Sequence, residues 1–252
     1  MRRLATFPLL VVLAMIFAPV PAHAMDPEVK KLLDRIDDMF RGTSSKATLS
    51  MHIKTANWER NLKIEVMSQG KDKALIKILE PAKEKGITTL RVGDNLWNYL
   101  PKVDRTIKVP AAMMSSSWMG SHFTNDDLVQ ESRLSDDYDA KMTSKPDQAP
   151  KGFYVITLIP KPNAPVVWGK LVAKIDAKND LPVEEAYYDE KGKLVRTLTF
   201  SNVKEIDGRK LPTRMTLVPA EHPKEETTMT YDDLHIGVDL PPRTFSLQAL
   251  RQ

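Results

Sequence analysis

Residues 46–66, KATLSMHIKTANWERNLKIEV, decide the fold class. Ala47, Leu49, Met51 and Ile53 alternate with Lys46, Thr48, Ser50, His52 and Lys54, and after a turn near Asn57 the same period returns in Leu62, Ile64 and Val66. A period of two belongs to a strand with one buried and one solvated face. Two further runs, Ala74 to Leu79 and Ile87 to Val92, follow at the short spacing of an antiparallel meander. Gly93-Asp94 then turns the chain into Leu96 to Leu100, and Pro101-Lys102-Val103-Asp104 turns it into Arg105 to Val109.

Downstream, the strand pattern stops at Pro110, and Ala111 to Gly120 reads as a loop or short helix lying across the sheet. Thr124 to Asp127 has the spacing of a capping box, which predicts a short helix that buries Leu128 and Val129 and ends near Arg133. Strands resume at Tyr138 to Met142, Phe153 to Ile159, Val166 to Ile175, Val183 to Tyr188, Leu194 to Phe200, Thr213 to Val218 and Thr227 to Tyr231. The tail closes with Phe245, Leu247 and Leu250. Upstream, Asp26-Pro27-Glu28 starts a helix whose apolar stripe is Val29, Leu32, Leu33, Ile36 and Phe40, ending before Gly42. The class is therefore mainly β with a few helices (α+β), built on an antiparallel sheet of about a dozen strands. So many strands leave edges that curvature or closure must manage.

The first 24 residues pair Arg2 and Arg3 with an apolar run from Leu9 to Ala18 and end in Ala22-His23-Ala24, the pattern of a secretory signal cleaved after Ala24. The run is broken by Pro8, Pro19 and Pro21 and is shorter than the ~20 apolar residues of a membrane span. Residues 25–252 are expected to form a single domain, a soluble monomer in a bacterial periplasm. The chain has no cysteine, which excludes a disulfide framework, thiolate metal sites and lipidation at the cleavage point. Its 37 basic and 33 acidic residues alternate without forming a stripe, so no nucleic-acid partner is expected.

Catalytic and metal motifs are weak. Ser121, His122, Asp126 and Asp127 hold the letters of a hydrolase triad, but neighbours in sequence seldom converge on one point, and capping accounts better for the acids. His52, His122, His222 and His235 lack metal-ligand spacing, and Asp232, Asp233 and Asp239 lack the twelve-residue calcium loop. Glu184-Glu185 and Glu225-Glu226 point to opposite strand faces. Ten glycines form no phosphate-binding loop. No catalytic residue, metal or cofactor is expected, and the chain reads as a non-enzyme.

What stands out is the stretch from Leu96 to Leu128, which concentrates Leu96, Trp97, Tyr99, Met113, Met114, Trp118, Met119 and Phe123. Such a cluster is either the closed end of a core or an adaptable binding surface. Two helices cannot fill the concave side of so long a sheet, which favours a cavity with these eight residues as its wall and lid. Trp97 and Tyr99 share one face of their strand, opposite Leu96 and Leu100, and a one-residue slip would exchange the two pairs.

Together the signal peptide, the first helix, LWNYLPKVDRTIKVP (96–110), WMGSHFTNDDL (118–128) and YDDLHIGVDLPPRTFSL (231–247) resemble the outer membrane lipoprotein-sorting proteins, within the superfamily of periplasmic lipoprotein carriers. The resemblance covers essentially the whole mature chain. It implies a strongly curved half-barrel with a helical lid over a cavity that takes up the acyl chains of lipoproteins or phospholipid. The function it implies is transfer toward the outer membrane, with an inner-membrane transporter, of resistance-nodulation-division type, and an outer-membrane acceptor as partners. A lipid- or lipoprotein-sensing module partnered with a membrane protein is the alternative.

Overall fold

The computed structural model describes residues 25–40, 42–130, 134–164 and 166–251. The expected signal segment and the expected helix end near Arg133 lie outside them. Thirteen strands form one antiparallel sheet: β1 (Ser44–Lys54), β2 (Glu59–Gln69), β3 (Lys73–Glu80), β4 (Thr88–Val92), β5 (Asn95–Leu100), β6 (Arg105–Lys108), β7 (Tyr138–Ser144), β8 (Phe153–Pro160), β9 (Lys170–Asp176), β10 (Leu181–Tyr188), β11 (Leu194–Ile206), β12 (Arg209–Pro219) and β13 (Glu226–Ile236). Helices α1 (Pro27–Asp37), α2 (Asn125–Gln130) and α3 (Leu134–Asp137) complete it. The sheet is antiparallel, as the alternation of apolar residues predicts, and it is an open half-barrel, as the family resemblance implies.

The order is β6-β5-β4-β3-β2-β1-β13-β12-β11-β10-β9-β8-β7. Two meanders are thus sewn together by the pairing of β1 with β13, where Met51 faces Met229 and Ala47 faces Leu234. This topology has a direct consequence for the site. Consecutive strands β6 and β7 are the two outer edges, so the chain between Val109 and Asp137 must travel from one edge to the other. It does so over the concave face, because the apolar side chains there need cover.

Register keeps one face concave throughout. Met51, Leu49 and Ala47 of β1 stand opposite Leu62, Ile64 and Val66 of β2. Ile64 and Val66 in turn stand opposite Ile78 and Ile76 of β3. On the far side Leu217 faces Leu198, and Tyr187 faces Leu171. A long hairpin joins β11 to β12 through Asp207-Gly208, both at positive φ, the conformation a tight two-residue turn requires. Those strands run farther toward the turn than the apolar runs suggest.

Helix α1 begins as expected, with the Asp26 carboxylate accepting the Glu28 N–H at 2.8 Å and Pro27 in the first turn. Its buried stripe, Val29, Leu32, Leu33 and Ile36, packs with Ile156, Leu158 and Leu171 at the β7–β9 end. At the other end the C-terminal tail covers the convex face, where Leu250 and Phe245 meet Leu75, Leu90, Trp97 and Tyr99.

Candidate functional site

Between the crossing segment and the concave face lies a partly open cavity of about 180 Å³. Its floor is aliphatic and soft: Leu49, Ile64, Ile76, Leu198, Met215 and Met229 come from strands on both sides of the β1–β13 seam. Phe40 and Tyr231 stack at 5.3 Å along one wall. Unbranched thioethers beside flat rings adapt to a flexible apolar guest.

Among the eight expected wall and lid residues, Trp118 and Phe123 line this space. Both are buried, and the Trp118 indole N–H reaches the Thr89 hydroxyl at 3.3 Å. Leu96 is buried next to Arg91 of β4, at the margin of the site beneath α2. Trp97 and Tyr99 project from the opposite face, because the pleat that turns Leu96 inward turns its neighbours out, onto the C-terminal tail. Met113 is 51% exposed, Met114 is half-buried in the same loop, and Met119 packs against the core beside Trp118 at positive φ.

The loop from Trp118 to Phe123 is clamped on all sides. The Trp118 N–H donates to the Phe123 carbonyl at 2.8 Å, closing a tight hairpin. Arg60, which pairs with Glu84 at 2.9 Å, also donates to the Met119 carbonyl. The His122 ring lies 2.8 Å from the Thr227 hydroxyl and 3.2 Å from the Glu225 carboxylate, and its backbone N–H donates to that same hydroxyl at 3.0 Å. Threonine, histidine and glutamate in line mimic a nucleophile, base and orienting acid. Thr227 is 0% exposed, and its hydroxyl is shared between the ring and the backbone N–H of His122. The Ser121 hydroxyl is spent on the Trp118 carbonyl at 2.7 Å. These groups fasten the loop.

Two arginines, which the sequence reading passed over, hold the crossing helix from opposite sides. Arg196 of β11, 4% exposed, makes a two-pronged pair with Asp127 of α2, one arm at 2.7 Å, and reaches the His122 carbonyl at 3.3 Å. Its guanidinium lies 4.3 Å from both the Trp168 and Tyr187 ring centroids. Burial works against that cation, but Asp127 more than offsets it, and the pKa rises above the ordinary arginine value. Asp127 simultaneously accepts the Thr124 N–H at 2.6 Å while the Thr124 hydroxyl accepts the Asp127 N–H at 3.2 Å, so the expected capping box forms. From the other side Arg91 of β4, 1% exposed, lies 3.4 Å from the Leu128 carbonyl and 2.6 Å from that of Lys71. The signal for both was present: each arginine occupies an inward position of an alternating run, where an aliphatic residue is the rule.

Other polar groups cluster at the same end. The Tyr187 hydroxyl donates to Glu185 at 2.6 Å, and burial, then the Glu185 charge, push its pKa well above the usual phenol. Asp126 is buried with one carboxylate oxygen lacking a hydrogen bond among the described residues. Burial, reinforced by Asp127, lifts its pKa to about 7. The site is thus a largely apolar vault with charged and hydroxyl-bearing side chains, Asp127, Glu185 and Arg196 among them, along its rim under the lid.

A family model described as an uncharacterized protein matches residues 70–252. The chain belongs to this DUF1329-like family. A DUF1329 family protein from Desulfovibrio piger is 24% identical and superposes with a TM-score of 0.80, covering 88% of this chain and 97% of that one. A putative outer membrane lipoprotein-sorting protein domain from Vibrio parahaemolyticus, 23% identical, gives 0.77 over 88% and 98%. A LolA superfamily protein from Nitrosomonas europaea, also 23% identical, gives 0.74 over 87% and 98%. The DUF1329-like chain therefore has the fold of the LolA superfamily. No curated protein matches it.

Proposed function

We propose that this protein is a periplasmic carrier that encloses an acyl chain of a lipoprotein or lipid beneath the crossing segment and passes it toward the outer membrane. The observation that carries this reading is the largely apolar vault whose cover is held by polar contacts to the rim. Apolar burial supplies the affinity: at ~0.8 kcal/mol per methylene, a sixteen-carbon chain brings roughly 10 kcal/mol before ordering costs. Such a grip needs a release device, and a cover tied down by Arg91 and Arg196 can be loosened without unfolding the sheet. Trp118 and Phe123 are the proposed cover contacts, and Leu198, Met215 and Met229 the proposed floor contacts. The chain acts without covalent chemistry. The likeness to the Vibrio protein, a putative outer membrane lipoprotein-sorting domain, supports this role.

The test is native mass spectrometry with lipid extraction on protein purified from periplasm. Co-purifying phospholipid or acylated peptide is expected, and it should be lost from Met229→Lys while circular dichroism stays that of the wild type. Ligand-free protein that also refuses a fluorescent fatty acid would sink the carrier reading. The sensing module would then lead, supported by the exposed Val103, Ile107 and Met113 on or beside edge strand β6.

A further inference from the structure

The sheet is not sealed along its whole length. The β10–β11 ladder runs from Tyr188↔Leu194 to Glu184↔Thr199 and stops there. Beyond it, Leu181 and Pro182 pair only with β9, and Phe200 to Ile206 pair only with β12. Both strands are distorted at the parting. The β9–β10 register slips between Pro182 and Glu184, leaving Val183 as the extra residue, and Pro182 has no N–H to give. Across the gap, Asn202 takes a positive φ and keeps its place opposite Thr213 in an unshifted β11–β12 register, tied to the Thr213 hydroxyl by hydrogen bonds of 2.9 and 2.7 Å. A bulge bends its strand, so the one at Val183 turns the start of β10 away from β11.

The seam opens into a groove of about 430 Å³. Pro182 and Phe200 line both this groove and the central vault, so they form the partition between the two. Beyond them the groove is lined by Phe153, Leu181, Val183 and Val203. Val203, on the groove's wall, is 52% exposed. The charged residues lining the groove, Asp176 and Glu205 against Lys204 and Lys210, cancel. Such a rim has no net pull on an anionic headgroup, whereas its apolar walls suit methylenes. The vault's 180 Å³ also falls short of the ~300–1,000 Å³ of typical small-molecule cavities.

We propose that the β10–β11 seam is a second opening of the vault, and that the methyl end of a long hydrocarbon chain passes between Pro182 and Phe200 to lie in the Phe153–Val203 groove. This rests on the carrier reading. It makes the seam the determinant of chain length: short chains end inside the vault, and long ones extend through the sheet.

The test uses the full mature chain with C12 and C18 fatty acids carrying a photoreactive diazirine at the terminal carbon, and peptide mapping of the adducts. The C12 label is expected on vault residues such as Leu198 or Met215, and the C18 label on Phe153, Val183 or Val203. Val203→Asp, at an exposed position that the fold tolerates, should weaken C18 binding about tenfold and leave C12 binding unchanged. C18 that binds but labels only vault residues, with Val203→Asp silent, overturns the seam and leaves the carrier reading standing. Failure of both acids to bind overturns the carrier reading and the seam with it.

Discussion

Replacing Arg196 by methionine keeps most of the side-chain volume and removes the cation that joins β11 to the crossing helix. The structure sets the size of the effect. Two charge-assisted hydrogen bonds to Asp127 and the contacts with the Trp168 and Tyr187 faces disappear, and a carboxylate stays behind, 12% exposed, with no counter-ion at that spot. Breaking a buried pair on one side costs about 3–5 kcal/mol, most of it the orphaned charge. Asp127→Asn, which retains an oxygen for the Thr124 N–H, should cost a similar amount by stranding Arg196. The double variant removes both charges and should therefore lose far less than the two singles together, with a coupling of ~2–3 kcal/mol. Urea denaturation followed by tryptophan fluorescence measures it. With an m-value of ~3 kcal/mol per molar, each single variant lowers the midpoint by about 1 M or more, and the double restores much of it. Additive losses, within ~0.5 kcal/mol, would refute the claim that this pair is the fastening of the lid.

Other consequences follow from the same geometry. Asp126 has a folded pKa of about 7 against 3.8 for the free group, so the native state holds its proton longer than the unfolded chain does. Stability from this group is complete below about pH 4 and is lost as pH rises through 7, with a slope approaching ~1.4 kcal/mol per unit; Asp126→Asn should flatten that limb in thermal melts at pH 5 to 8, and an unchanged slope would assign it elsewhere. Trp97→Ala lies on the tail-covered face and should leave fatty-acid uptake at the wild-type level while it lowers Tm, whereas Trp118→Ala should reduce uptake itself; equal losses of uptake would contradict the two-face assignment. His122→Ala severs the ties to Thr227 and Glu225 and should cost ~1–2 kcal/mol without abolishing ligand transfer. A variant that keeps its fold and its ligand but loses a hydrolytic activity would reopen the enzyme reading.

The strands, the first helix and the capping box at Thr124 were legible in the chain itself, because each is written in a local rule: alternation by two, a stripe at helical spacing, an oxygen three residues from its N–H. The Asp207-Gly208 turn of the β11–β12 hairpin is equally local, although the apolar runs at Leu194 to Phe200 and Thr213 to Val218 did not extend to it. Alternation cannot say which of its two faces is concave. For β5 the decision came from β4, which sets Leu96 beside Arg91, and from a C-terminal tail some 150 residues away that covers Trp97 and Tyr99. The vault's other walls are drawn from strands that only the β1–β13 pairing brings together. Arg196 meets Asp127 across 69 positions, and a charge buried by a partner that distant looks in sequence like an exposed one. The crossing lid is likewise a product of topology: Trp118, Phe123 and α2 lie over the vault because the strands their segment joins are the two edges of a thirteen-stranded sheet. Local chemistry chose the elements, and long-range pairing chose what they enclose.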